Sequence, residues 1–532
     1  MDNLQALDVV VVLLSVMLLF VIAYFAGKKE TSTKDYFLGN RRMPAVIVCL
    51  SFVATEVSAA TIIGAPAASY AENWSYIQFF VGSALARILV AFIFLPVFFK
   101  IDCTSIYEYL RQRFGPKTQY AGSVCFFITR LAASGFRLYL ACLAVTSIMG
   151  WKGLLPSLVL FSAISIVFIA FGGIKAVIWN GAYQTIMFYI MALAVILFIL
   201  WQIPGDLGGV MSLSNIHDKL KVFNFDTKQP GVATNHSNGI WGSVASFFSN
   251  PMSFWAGATN AFIVGLVMFG TDQELVQRLL TVKTRRASQK AIIFTIVAVL
   301  PLLVVYLGVG TLLYAFYQYH PEAARPDEVK NVLPFFAGSM LPAGLKGLVL
   351  AVVILASIDS PLSSLSSSFV TDIYRPLICR SASEQHYLWV SRCGVMGFGI
   401  VLAVIAWLSQ GVKDVLWFSF EIVSVTGGSI LGVFLFGLLT KRRSAGWGNV
   451  AAMVIASLIV LVLLLLCEKD VFVEGRIISL GWSWLITIGT LLSFGLAYLL
   501  SLKDRQQEGG DETPGAVEAG CRGLRSEAKQ PR

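Results

Sequence analysis

The sequence predicts an all-α integral membrane protein with about 13 transmembrane helices. Composition gives the first two reasons. Of its 532 residues 57% are hydrophobic and 13% are charged, against about 45–50% and about 25% in an ordinary soluble domain. The third is pattern: nearly all of the chain falls into apolar runs of roughly 20 residues, the length that crosses a hydrocarbon core about 30 Å thick. Soluble enzymes and DNA-binding proteins are excluded, and so is a transmembrane barrel, whose segments are short and alternate in polarity.

In chain order the spans are expected at 8–27, 44–70, 77–99, 119–149, 154–171, 177–201, 251–274, 291–316, 346–372, 388–409, 415–439, 447–467 and 478–501. The first run lacks a basic leader and a small-residue cleavage site, so it reads as a retained helix. Most of the 40 Lys and Arg fall into short clusters between spans, among them Lys28/Lys29/Lys34/Arg41/Arg42, Lys283/Arg285/Arg286/Lys290 and Lys441/Arg442/Arg443. The positive-inside rule then places the N-terminus outside and the C-terminus in the cytoplasm of a multi-pass protein of the plasma membrane. The net charge of +10 is explained by these clusters and calls for no nucleic-acid partner. Two polar loops, 202–250 and 317–345, lie outside, and the charged, glycine-rich tail 502–532 is expected to be disordered. The eight cysteines show neither metal spacing nor a disulfide framework. The four histidines fall in polar segments, which rules out an intramembrane histidine relay.

Charged side chains inside spans are rare and costly, so each is a candidate site. The spans contain Glu56, Arg87, Arg130, Arg137, Asp359 and Glu421. Small and polar residues crowd the second span at Ala54-Thr-Glu-Val-Ser58, followed by Gly64 and Pro66, a composition that breaks a helix where it faces a cavity. The seventh span is similar at Ala256-Gly-Ala-Thr-Asn260 and at Gly270-Thr-Asp-Gln273. Two interrupted spans five apart point to a transporter with a binding site at the bilayer midplane. The ninth span carries a ladder of serines, Ser357, Ser360, Ser363, Ser364, Ser366, Ser367 and Ser368. Hydroxyl and carbonyl oxygens suit a hard cation such as sodium, although small residues also serve close helix packing.

Several short motifs resemble the sodium/solute symporter family, and the likeness covers residues 1–501. They are Asp35-Tyr-Phe-Leu-Gly39, Ala54-Thr-Glu-Val-Ser58 with Gly64, Gly172-Gly-Ile-Lys-Ala-Val-Ile-Trp179 with Gln184, Gly270-Thr-Asp-Gln273 with Val276-Gln-Arg278, Ala356-Ser-Ile-Asp-Ser360 with Thr371-Asp-Ile-Tyr374, and Gly437-Leu-Leu-Thr-Lys441. The resemblance implies a LeuT-type fold of five-plus-five inverted repeats. Residues 44–201 and 251–440 would be the repeats, joined by the loop 202–250. Flanking them would be the first helix and inner loop (1–43) and two C-terminal helices (441–501).

The resemblance also implies sodium-driven uptake of a small solute, with sodium as the co-transported ion and no organic cofactor. Carried over by position, the sodium ligands are the carbonyls of Ala54 and Val57 with Val353, Ala356 and Ser357, and Ser360 lies one turn beyond. Where the family often has an aspartate after the signature tryptophan, this chain has Asn180-Gly181, so one coupled sodium is expected.

The sugar-binding positions of the family fall on Glu56, Thr61, Phe80, Val299 and Phe420, which argues against a galactose-like solute. Thr55, Glu56, Ser58 and Thr61 at the break, with Gln78, Arg137 and Asn260, are the candidate solute contacts. Arg130 and Arg137 stand two turns apart on one helix face. A guanidinium is a fork matched to a carboxylate, so the expected solute is a sugar acid such as sialic acid, a monocarboxylate or an amino acid. The competing arrangement pairs Arg137 with Glu56 or another carboxylate. A neutral polyol, sugar or vitamin-like solute is the alternative within this class. An ion channel or a transporter-like sensor is the alternative outside it. No nucleophile–base pair suggests an enzyme.

Overall fold

The structure is a computed structural model and describes residues 4–27, 32–226, 247–357, 361–410, 415–442, 444, 446–467, 472–473, 476–477 and 480–508. Among these residues the chain is helical apart from connecting loops and a two-residue hairpin, Phe472–Val473 with Arg476–Ile477. Ten helices are long and apolar enough to cross a membrane, or eleven if the bent pair Ala45–Glu56 and Thr61–Ala71 is one span. The fifth and eleventh expected spans correspond to shorter apolar helices, Leu155–Ala170 and Val423–Leu439, so length and apolarity alone give fewer than thirteen.

The first span is α1 (Ala6–Gly27), followed by a short helix, α2 (Thr33–Leu38). The second span is two helices, α3 (Ala45–Glu56) and α4 (Ala59–Ala71). Next come α5 (Ile77–Ile101), the short α6 (Tyr107–Phe114) and α7 (Pro116–Met149). Gly115, at φ 95°, makes the sharp turn between α6 and α7, and Pro116 opens α7, where a missing N–H costs nothing. The long run after it is broken at Gly173, whose φ of 52° and ψ of −163° suit glycine. The break lies at the junction of α8 (Leu155–Ala170) and α9 (Gly172–Gln202), one residue inside the latter.

The second half begins with α10 (Phe254–Thr271), α11 (Gln273–Leu280) and α12 (Arg285–Tyr319). The ninth span is α13 (Leu345–Ser357) and α14 (Pro361–Ser368), which runs on as a π-helical stretch, Phe369–Ile378. Then follow α15 (Glu384–Leu408), α16 (Val415–Leu439), α17 (Gly446–Cys467) and α18 (Leu485–Glu508).

Glycines set the closest helix contacts. A Cβ on Gly82 of α5 would lie 1.9 Å from the Ala258 carbonyl oxygen of α10, and one on Gly310 of α12 would lie 2.1 Å from the Pro66 carbonyl oxygen of α4. This corrects one expectation about the seventh span. Ala256-Gly-Ala-Thr-Asn260 is regular helix, and its small residues serve the contact with α5. The span is interrupted only farther on, where the π-helical turn Val267–Thr271 gives way at Asp272, which has an extended backbone and caps α11 by accepting from the Glu274 amide.

The basic loops gather at one end of the bundle, and the recurring motifs of the sequence meet there. Lys175 Nζ lies 2.6 Å from Asp35, and the Tyr36 hydroxyl donates to the Ile169 carbonyl at 3.1 Å. Gln277 donates to the Phe37 carbonyl at 2.8 Å, and the Met43 amide to that of Thr281 at 3.1 Å. Arg41 pairs with Asp102 at 2.8 Å. The segment 32–43 is therefore fastened to α9, to α11 and to the end of α5. At the opposite end Gln78 holds two stretches of chain, donating to the Met252 carbonyl at 2.7 Å and accepting from the Asn224 amide at 3.2 Å.

Because the Gly82 contact is with backbone, no side chain can yield. Gly82→Ala should force α5 and α10 apart at a cost of about 1–3 kcal/mol, typical of overpacking, read as a lower melting temperature of the detergent-purified protein. An unchanged melting temperature would show that the two helices do not meet this closely.

Candidate functional site

The break in the second span creates the site. At Val57 (φ −86°, ψ 77°) and Ser58 (φ −84°, ψ 177°) the backbone leaves the helical region, and the two halves are bent by 56°. The Val57 amide still donates to the Val53 carbonyl at 2.8 Å, closing the last turn of α3. Ending a helix there leaves the carbonyls from Ala54 to Val57 outside the i to i−4 ladder and free to face a ligand.

Beside the break lies a cavity of about 160 Å³. Its polar wall is Glu56, Ser58, Thr61, Ser83 and Arg137, and its other walls include Tyr76, Phe79, Phe80, Met268 and Phe269. Glu56 is ion-paired with Arg87, which is fully buried. Arg87 also donates to the Ser83 hydroxyl at 2.7 Å, and its guanidinium lies 4.4 Å from the centroid of the Phe269 ring. An arginine held between a carboxylate and aromatic faces is matched without water. The expected alternative of Arg137 paired with Glu56 is thereby corrected: the Glu56 carboxylate faces α5, not α7. Arg130 is paired with Asp272 and Glu274, away from the cavity.

Arg137 borders a second, smaller cavity of about 30 Å³ as well. That one is lined by Ser134, Ser162, Ser165, Ala356, Ser357 and neighbouring apolar side chains. One guanidinium thus separates the main cavity from the end of α13. There the Ser357 hydroxyl donates to the Val353 carbonyl at 2.6 Å, so the lone pairs of its oxygen remain to accept or to ligate. Gln184 fixes the same turn by donating to the Leu355 carbonyl at 2.9 Å. Asp359 and Ser360 lie outside the described residues.

Of the expected solute contacts, the structure gathers Glu56, Ser58, Thr61 and Arg137 at one cavity. Thr55, Gln78 and Asn260 are not among its lining residues. The Thr55 hydroxyl donates to the Ser51 carbonyl at 3.0 Å, and the Asn260 amide to that of Ser483 at 2.8 Å. Among the expected sodium ligands, Val57 reaches the main cavity, Ala356 and Ser357 the smaller one, and Ala54 and Val353 are buried nearby in α3 and α13. Of the aromatic walls the sequence offered only Phe80, as a family sugar position; Tyr76, Phe79 and Phe269 were missed because they look like any apolar helix face. Gly181 packs so closely on α3 that a Cβ there would lie 2.5 Å from the Ser51 hydroxyl oxygen. An aspartate at this position would have no room.

The profile of the Sodium:solute symporter family matches residues 36–456. The chain belongs to this family. A sodium/sialic acid symporter of Proteus mirabilis is 28% identical over 502 residues, covering 92% of this chain and 95% of its own. The human sodium-coupled monocarboxylate transporter 1 is 27% identical, covering 78% of this chain and 66% of its own. In three dimensions the chain is similar to a Na+-coupled sialic acid symporter solved in a substrate-bound outward-open state, with a TM-score of 0.79 at 23% identity over 94% of this chain and 98% of that one. The fold read from the helices is therefore that of a known symporter.

Arg87→Met should leave the half-buried Glu56 without its cation and cost about 3 kcal/mol, the lower end of the usual penalty for breaking a buried pair from one side. Adding Glu56→Gln should recover most of that loss in a thermal-stability assay. If the double variant is no more stable than Arg87→Met alone, the two residues are not partners.

Proposed function

We propose that this protein is a sodium-coupled symporter that imports a small carboxylate-bearing solute across the plasma membrane by alternating access. The observation that carries the solute class is Arg137, a guanidinium on the wall of the cavity at the helix break, beside Ser58 and Thr61 and among largely apolar side chains. Its position between that cavity and Ser357 supports coupling, because solute and sodium would meet the same side chain from opposite sides.

The same reading takes the bundle as thirteen spans with a LeuT-type core, residues 44–201 and 251–440 forming the repeats. The clustering of Lys34, Arg41 and Lys175 at one end supports placing that end, and the C-terminus, in the cytoplasm. Sodium is assigned to the carbonyls of Ala54 and Val57 with Val353, Ala356 and Ser357. One sodium per solute is expected from Gly181.

The test is uptake by proteoliposomes of purified protein, screened across anionic, zwitterionic and neutral solutes with and without a sodium gradient. Uptake of an acid that requires the gradient is expected, with a reversal potential giving one sodium per solute. Uptake indifferent to sodium, or a preference for an uncharged solute, ends this reading.

Two variants locate the sites. Ser357→Ala should raise the half-saturating sodium concentration about tenfold. Arg137→Lys should lower uptake of the acid at least tenfold, because an ammonium keeps the charge and loses the fork. Normal sodium dependence in the first, or normal uptake in the second, removes that residue from its role.

A further inference from the structure

We infer that Asp372, with Ser105, Gln119 and Ser123 around it, forms a second cation site through which sodium passes on its way to the cytoplasm. This inference rests on the sodium coupling proposed above.

Among the described residues the other buried carboxylates are matched. Asp272 and Glu274 have Arg130, and Asp35 has Lys175. Asp8 accepts from the backbone amides of Gly344 and Gly347 at the start of α13, where the helix dipole favours an anion. Asp372 has neither kind of partner. It is fully buried, and its oxygens accept from the Ser105 hydroxyl at 2.7 Å, the Gln119 amide at 2.8 Å and the Ser123 hydroxyl at 3.0 Å. All three donors are neutral side chains, and the charged neighbour acting on it is another carboxylate, Glu108. Hydrogen bonds alone leave a buried charge short of what water would give, and a cation supplies the difference.

A second observation points the same way. The side-chain oxygen of Gln119 is buried and accepts no hydrogen bond, as are the hydroxyls of Ser363, Ser367 and Ser368. Ser368 stands one turn before Asp372 on the same helix, and Gln119 lies between Asp372 and a polar cavity of about 750 Å³ at the basic end of the bundle. Buried oxygens without donors are costly to leave unmet, and they are the ligands a hard cation takes. Ser363, Ser367 and Ser368 lie on the helix that runs on into the π-helical stretch carrying Asp372. These serines thus lead from the side of the proposed sodium ligands to a carboxylate beside an opening toward the cytoplasm.

A bolt between α7 and the ninth span would use the same hydrogen bonds, so the experiment must separate passage from fastening. In proteoliposomes, net sodium-driven uptake requires sodium to leave on the inside. Solute exchange at equal, saturating sodium on both sides does not. Asp372→Asn should slow net uptake at least tenfold and leave exchange and the external sodium half-saturation within twofold, with Asp372→Glu restoring much of the rate. Ser368→Ala removes a hydroxyl that bonds nothing, so fastening predicts no effect. Passage predicts a net uptake slowed about threefold with exchange unchanged, and this variant decides the matter if Asp372→Asn does not fold. Net uptake and exchange falling together in Asp372→Asn, or a Ser368→Ala protein indistinguishable from the native one, overturns the inference. Native uptake that ignores sodium would instead overturn the coupling on which it rests.

Discussion

A bilayer core gives no water to a charged group, and that constraint orders this structure more than any single contact. Arg87, Arg130 and Lys175, carried into the bundle, are each met by a carboxylate from elsewhere in the chain. Arg87 takes Glu56 across thirty-one residues, and Arg130 takes Asp272 and Glu274 across more than a hundred. Lys175 takes Asp35. These pairs join the third span to the second, the fourth to the end of the seventh, and the sixth to the segment after the first. A buried pair adds little net stability over an apolar one, but breaking it is costly. Its effect is to forbid other arrangements of helices that hydrophobicity alone would leave nearly equivalent, since lipid is as apolar as a neighbouring leucine.

The matched pairs also decide where chemistry is possible. Glu56 sits at the helix break, where it has the position of a ligand, yet Arg87 satisfies it from below. The cavity wall also carries the Arg137 guanidinium, among hydroxyls and aromatic rings. The break thus presents a set of freed carbonyls to a cavity that α7 lines with Arg137. Solute and ion would then meet where Arg137, in the interior of α7, borders the end of α13.

The fold was legible in the sequence because transmembrane helices announce themselves locally: a run of about 20 apolar residues is a span wherever it falls. The helix break was legible too, since Ala54-Thr-Glu-Val-Ser58 is a poor helix in lipid. The same local reasoning over-read Ala256-Gly-Ala-Thr-Asn260, where small residues serve packing against Gly82 and leave the helix intact. What was hidden is pairing. Nothing near Glu56 in the sequence says that Arg87 and not Arg137 will reach it, because the choice depends on how two distant helices are rotated. Gln78 and Asn260 were hidden for the same reason: their amides bond backbone carbonyls of segments that only the folded bundle brings near.

Asp8 has a consequence for how the chain is made. Its carboxylate is buried and held by the amides of Gly344 and Gly347. At about 5–20 residues per second, the ribosome reaches those amides on the order of tens of seconds after Asp8 has been synthesised. For that interval the first helix must reside in the bilayer with its polar anchor unmet, which its position two residues inside Ala6–Gly27 allows, near enough to the membrane surface to stay hydrated. The contact between Asp8 and α13 is therefore among the last that the first helix makes. The sixth span arrives earlier and already holds that helix through Asn180 and Tyr183, which donate to the Leu19 and Ser15 carbonyls, so a nascent chain stalled before the ninth span would leave only the Asp8 end of the first helix unfastened.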